Sequence, residues 1–166
     1  MVQDPHVQVG AGTVTVTGTG SAEAAPDLML VSVGVECRAG SVQEAYSAAG
    51  EALAALGSVL RGRGVAPADL RTTGLSVRAD LVWRDGEGQK LVGYVAAGSL
   101  LVRLRDLGSA SGTVSEAVRA AGDAARLNSL QLVLSDDSAI RAQARDAAWE
   151  DAHHTAGQYE IGRAHV

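Results

Sequence analysis

Alternation and helical spacing divide most of the chain into short, well-marked segments. From Thr13 to Thr17 threonine and valine alternate, with Val14 and Val16 on one side, which is the period of a half-buried strand. The stretch from Gly18 to Asp27, rich in Gly and Ala and closed by Pro26, breaks that strand. A second strand is predicted from Leu28 to Arg38, with Met29, Val31, Val33, Val35 and Cys37 facing inward. Ser41 followed by Glu44 forms a capping box, and Val42, Tyr46, Ala49, Leu53, Leu56 and Leu60 recur at helical spacing. They predict a long amphipathic helix that ends near Gly62 or Gly64.

After Pro67 a third strand carries Leu75, Val77, Ala79, Leu81 and Trp83 on one face. The run Asp85-Gly86-Glu87-Gly88 turns the chain, and the return strand aligns Val92, Tyr94, Ala96, Leu100, Val102 and Leu104. A second helix is expected over 106–121, with Val114, Ala117, Val118 and Ala121 inward and Gly122 at its C-terminal cap. A fifth strand holds Leu130, Leu132 and Leu134. Ser135-Asp136-Asp137-Ser138 then caps a third helix whose buried side is Ile140, Ala144, Ala147, Ala148 and Ala152. The order ββαββαβα, with hairpins rather than crossovers, predicts an α+β domain: one mainly antiparallel sheet with helices packed on one face.

Read in order, several fragments identify a relationship that none carries alone. They are Gly18-Thr-Gly-Ser-Ala-Glu, then Ala25-Pro26-Asp27, Gly64-Val65, Asp69-Leu70 and Thr72-Thr73-Gly74-Leu75-Ser76-Val77. Gly93-Tyr94-Val95-Ala96-Ala97, Asp106-Leu107 and Ala144-Arg145-Asp146-Ala147-Ala148 follow. The chain resembles the SIMPL-domain family, a bacterial domain of unknown function, over nearly its whole length. The resemblance implies an exported periplasmic or surface protein and a link to oxidative-stress tolerance. For some members it also implies assembly into large ring-like homo-oligomers. It implies no agreed catalytic residues.

The expected organisation is a SIMPL domain over 12–159, an N-terminal extension over 1–11 and a foreign tail over 160–166. The last seven residues, Glu160 to Val166, can be encoded by GAG ATC GGA AGA GCA CAC GTC followed by TGA, a string that from AGATCGG onward is a common sequencing adapter. Read-through into adapter would truncate the domain after Tyr159 and remove its closing strand.

Composition narrows the function classes. With 166 residues and 46% hydrophobic content, the chain is long enough for one core. Aromatics are only 3%, which removes base-stacking platforms. The net charge is −5, and acids alternate with bases along the chain without forming a basic block. Neither nucleic acid nor an anionic membrane is therefore expected as a partner, and no run is long enough for membrane insertion. The first residues lack a basic start and an apolar stretch, so the expected address is cytoplasmic. A periplasmic or cell-surface location is the alternative if translation starts upstream.

Each candidate for chemistry has a structural competitor. Gly10, Gly12, Gly18 and Gly20 do not form a phosphate-binding loop and read as a strand connection. Glu150 and His154, with Asp151 and His153, share a helix but lack a third convergent ligand. Cys37, the lone cysteine, could act as a peroxide-sensing thiol, yet its inward position predicts burial and inertness. Gly108-Ser109-Ala110-Ser111-Gly112 reads as a first helical turn rather than a nucleophile elbow. Trp83 and Tyr94 fall on apolar faces and read as core. Val82, Val95, Leu101 and Val133 on the opposite face suggest self-association. No catalytic, metal or cofactor-binding residue is assigned and no cofactor is expected. The expected function is a non-enzymatic, self-assembling scaffold or stress-associated protein, and the alternatives are a thiol-based peroxide scavenger or other unrecognised enzyme, such as a hydrolase, or a protein–protein adaptor.

Overall fold

In the computed structural model the backbone is described over residues 13–163 and the side chains over 13–159. The Val-rich run from Leu28 becomes β1 (Leu28–Ala39), with Val31, Val33 and Val35 buried. Ser41 caps α1 (Val42–Gly62) by accepting the Glu44 N–H at 3.2 Å. A 3-10 turn over Pro67–Asp69 leads into β2 (Leu70–Arg84), which is joined by the Asp85–Glu87 turn to β3 (Gly88–Leu104). Then come α2 (Leu107–Ala121), closed by Gly122 as expected, β4 (Ala125–Val133) and α3 (Ser138–Arg163).

The fold is α+β with one antiparallel sheet in the order β2-β3-β1-β4. From residue 28 onward the elements follow the expected order. The segment Thr13–Thr17, read from its alternation as a first strand, pairs with no strand among the described residues. The chain divides into two compact units, residues 25–135 and residues 13–24 with 136–163.

In the larger unit the sheet and two helices share one core. Register places Val31 opposite Val102 and Val33 opposite Leu100, so the odd positions of β1 and even positions of β3 face α1 and α2. The buried stripe of α1 is Ala45, Ala49, Leu56 and Leu60, while Val42 and Tyr46, expected inside, are exposed. The alanines let the helix approach the sheet closely and turn the larger residues toward the flank. From α2, Ala110, Thr113 and Ala117 are buried, with Val114, Val118 and Ala121 packed beside them.

Leu81 and Trp83, also expected inside, are exposed, Trp83 at 74%. Length explains this correction. The 17 residues of β3 span about 56 Å at 3.3 Å per residue, whereas the 21 residues of α1 span about 31 Å. The far end of the β2–β3 hairpin therefore runs past the helical layer. Tyr94, nearer the sheet centre, packs against the core as expected.

In the smaller unit the segment before residue 24 lies against α3. A Cβ on Gly18 would stand 2.6 Å from the Ala152 nitrogen, and one on Gly20 would meet the carbonyl of Ala144. The Thr19 N–H donates to Asp151 Oδ2 at 2.8 Å. Ala144, Ala148 and Ala152, three of the residues expected on the inner side of this helix, line that approach.

Candidate functional site

Three surfaces deserve a chemical reading. The first is a cleft of about 330 Å³ in the larger unit, where the end of α1, the 3-10 turn, the end of β3 and the start of α2 meet. Asp69, nearly buried, closes the turn and accepts two hydrogen bonds from Arg105: Nε to Oδ2 at 2.8 Å and Nη2 to Oδ1 at 2.9 Å. These bonds hold the Asp69 carboxyl below the usual aspartate range and push the Arg105 guanidinium up. Arg103 also lines the cleft and adds a weaker pull on Asp69. Across the opening, Arg63 Nε bonds Glu116 at 2.6 Å.

Asp106 caps α2, accepting from Ser109 Oγ at 2.7 Å and from the Gly108 N–H at 3.1 Å, and both bonds lower its pKa. The anion position at this helix N-terminus is thus filled by the protein's own carboxylate. Ser109 donates its hydroxyl to that carboxylate, and Thr113 donates to the Ser109 carbonyl at 3.1 Å. No histidine is among the described residues that line the cleft, and the Ser109–Asp106 pair serves as the cap of α2. This agrees with the first-turn reading of Gly108 to Gly112.

The second surface is the outward face of the sheet. Its cross-strand register gathers charges that are dispersed in sequence. Arg38 comes from β1, and Arg71, Arg78 and Arg84 from β2; Lys90 and Arg103 from β3 and Arg126 from β4 join them, against only Glu36 and Asp80. Arg38, Arg78 and Arg126 converge on Glu36 at 3.5, 3.7 and 3.6 Å, and Arg38 Nε reaches Asp80 at 3.2 Å. Val95, flanked by Arg38 and Arg78 in the register, is 1% exposed, so the arginine stems shield it. The floor beside them is small and polar. Asn128 Nδ2 lies 3.2 Å from Ser99 Oγ, and a Cβ on Gly34 would fall 2.6 Å from the Gly98 carbonyl oxygen.

This arrangement was hidden from a reading along the chain, because alternate positions of four separate strands supply it. The dispersal behind the expectation of no anionic partner is not the arrangement in space. Of the apolar residues expected on this face, Val95 is buried, Leu101 and Val133 are half-buried, and Val82 is exposed.

The third surface is the helix-side face of edge strand β4. A bulge at Asn128, between Ser32 and Val33 of β1, puts Leu127 and Leu130 on the same side despite their odd spacing, and Leu132 follows. All three face the helix side yet are 53%, 47% and 53% exposed.

The other sequence candidates resolve individually. Cys37 lies on the inner face of β1, partly buried against the core, and burial pushes its thiol up. Gly18 and Gly20 serve close backbone approach, while Gly10 and Gly12 lie outside the described residues. On α3, Asp151 bonds Thr19, Trp149 meets His153 edge-on at 4.6 Å, and His154 pairs with Gln158 at 3.0 Å. Among the described residues no three His, Cys, Asp or Glu side chains come together as metal ligands. The side chains expected to be foreign, Glu160 to Val166, lie outside the described ones.

The sequence model of the SIMPL family, described as a protein of unknown function, matches residues 14–160. Similar curated proteins include the 26 kDa periplasmic immunogenic proteins of Brucella melitensis and Brucella abortus. Each is 28% identical over 133 residues, covering 75% of this chain and 51% of the relative. The chain thus spans about half the length of the curated relatives it matches.

Proposed function

The chain belongs to the SIMPL family, and from that premise we propose that it is a non-catalytic assembly domain whose partner is a second copy of itself. The observation that carries this reading is the leucine stripe on β4. Half-exposed Leu127, Leu130 and Leu132 stand on the same side as the core, on a strand that among the described residues has one neighbour in the sheet. Beyond the bulge, the regular stretch Ser129 to Val133 has neither proline nor lysine to block pairing. Antiparallel pairing with the same strand of another copy would satisfy its outward N–H and C=O groups and cover the leucines in one two-fold step.

The absence of an activated nucleophile in the cleft supports a non-enzymatic role, and the raised, partly buried Cys37 thiol disfavours a peroxide scavenger. The curated relatives are named as periplasmic proteins, and we place this domain in that compartment too, in preference to the cytoplasmic address expected from its first residues. No helix among the described residues is long and apolar enough to cross a membrane.

Hydrogen exchange at two protein concentrations tests the proposal. The outward amides of Ser129 to Val133 should gain protection as concentration rises. Equal exchange at both concentrations contradicts pairing through β4.

A further inference from the structure

The outward sheet face carries seven basic side chains against two acidic ones. That excess of five, on a chain whose net charge is −5, leaves −10 for everything else. Arg38, Arg78 and Arg126 crowd one carboxylate at 3.5 to 3.7 Å, longer than good hydrogen bonds. Arg38 Nε also donates to Asp80 at 3.2 Å and Arg126 Nη1 to the Asp123 and Ala125 carbonyls at 2.9 and 2.7 Å, which leaves the other N–H donors of the three guanidinium groups for a ligand. We propose that this face docks the protein peripherally on an anionic lipid surface, with the guanidinium groups meeting lipid phosphates.

Charge complementarity sets the sign of the partner, and three observations choose its class. The basic groups spread over all four strands rather than lining a groove, which suits an extended charged surface. Among the described residues no aromatic ring stands on this face, since Trp83 and Tyr94 occupy the helix side of their strands, so nucleotide bases would find nothing there to stack on. At the hairpin end, exposed Val82 pairs with Lys90 in the register and lies two positions from Arg84 on the same face. A lipid interface accepts apolar and basic side chains together, whereas a phosphodiester backbone gives valine no favourable contact. Asp85 and Glu87, the latter 3.6 Å from Lys90, keep the turn polar, so the hairpin lies along the surface instead of piercing it.

Co-sedimentation with vesicles tests this directly, using phosphatidylcholine alone and phosphatidylcholine mixed equally with phosphatidylglycerol. The protein should bind only the mixed vesicles and be released when salt rises toward about 1 M, where charges more than about 3 Å apart are screened. Replacing Arg71, Arg84 and Arg103 by Gln, all exposed and outside the Glu36 network, should weaken vesicle binding about tenfold or more while circular dichroism stays unchanged. Failure to bind mixed vesicles, equal binding to both kinds, or unchanged binding by the folded triple variant overturns the proposal. Tighter binding to duplex DNA or to polyglutamate at the same salt also overturns it, in favour of that polyanion.

Discussion

Arg105 grips Asp69 through two parallel hydrogen bonds, 2.8 and 2.9 Å, and so ties the turn before β2 to the end of β3 at the mouth of the cleft. A lysine cannot reproduce a two-pronged contact. Arg105→Lys should therefore lower the urea midpoint of unfolding, and Asp69→Asn should lower it further at neutral pH. The pH dependence follows from the depressed carboxyls. Asp69 is held low mainly by Arg105, Asp27 by the Ser135 hydroxyl and N–H, and Asp106 by Ser109 and Gly108. Each group's contribution to stability is complete above the ordinary aspartate value near 3.8 and is lost as pH falls through the lower folded value. Urea titrations between neutral pH and about 2 should show a shallower acid loss for Asp69→Asn than for the wild type. Identical slopes would contradict this account of the pair.

Leu56 and Trp83 should respond oppositely to truncation. Leu56 is fully buried in the core, so Leu56→Ala should cost about 2–5 kcal/mol. Trp83 lies beyond the helical layer, and Trp83→Ala should change stability by no more than about 0.5 kcal/mol. Denaturant melts of both variants check the contrast, and a large loss at Trp83 would place it in a packed environment that the described fold lacks.

That contrast also marks what the sequence could reveal. Alternation in β1 identified the inner face, Cys37 included, because a central strand between two neighbours keeps its period. Spacing and capping residues located α1 and α2 to within a residue or two. Only the start of α1 departs from its predicted phase: Val42 and Tyr46 offer more apolar area than alanine, whereas close packing on the sheet selects Ala45, and Ala49, Leu56 and Leu60 are buried as expected. Trp83 was misplaced because periodicity assigns a face without saying how far the helices extend over it. The arginine face was illegible for a different reason: its members lie on four strands, and only the register brings them together. The leucine stripe was half-legible, since Leu130 and Leu132 alternate normally but Leu127 joins them only through the bulge at Asn128.

Gly18 offers a test of the smaller unit by itself. Because an added Cβ would fall 2.6 Å from a backbone nitrogen of α3, Gly18→Ala should push residues 18–20 off the helix. The Thr19 amide, which donates to Asp151, should then exchange faster with solvent. Unaltered protection at Thr19 would show that the segment tolerates the methyl group.

Gly34 probes the floor of the outward face. A methyl group there meets the Gly98 carbonyl oxygen at 2.6 Å and Ser99 Oγ at 2.8 Å, so Gly34→Ala should destabilise the protein by about 1–3 kcal/mol. A chemical melt reads this out, and a neutral result would mean that β1 and β3 separate more easily than their pairing implies.

Assembly through β4 is the central claim, and the mass in solution measured by light scattering tests it most directly. The wild type should scatter as a multiple of the 16.9 kDa chain. Leu130→Asp, at a half-exposed position where folding should change by no more than about 1 kcal/mol, should scatter as a folded monomer. A wild-type protein that remains monomeric as concentration rises, or a Leu130→Asp variant that keeps the wild-type mass, would contradict the account.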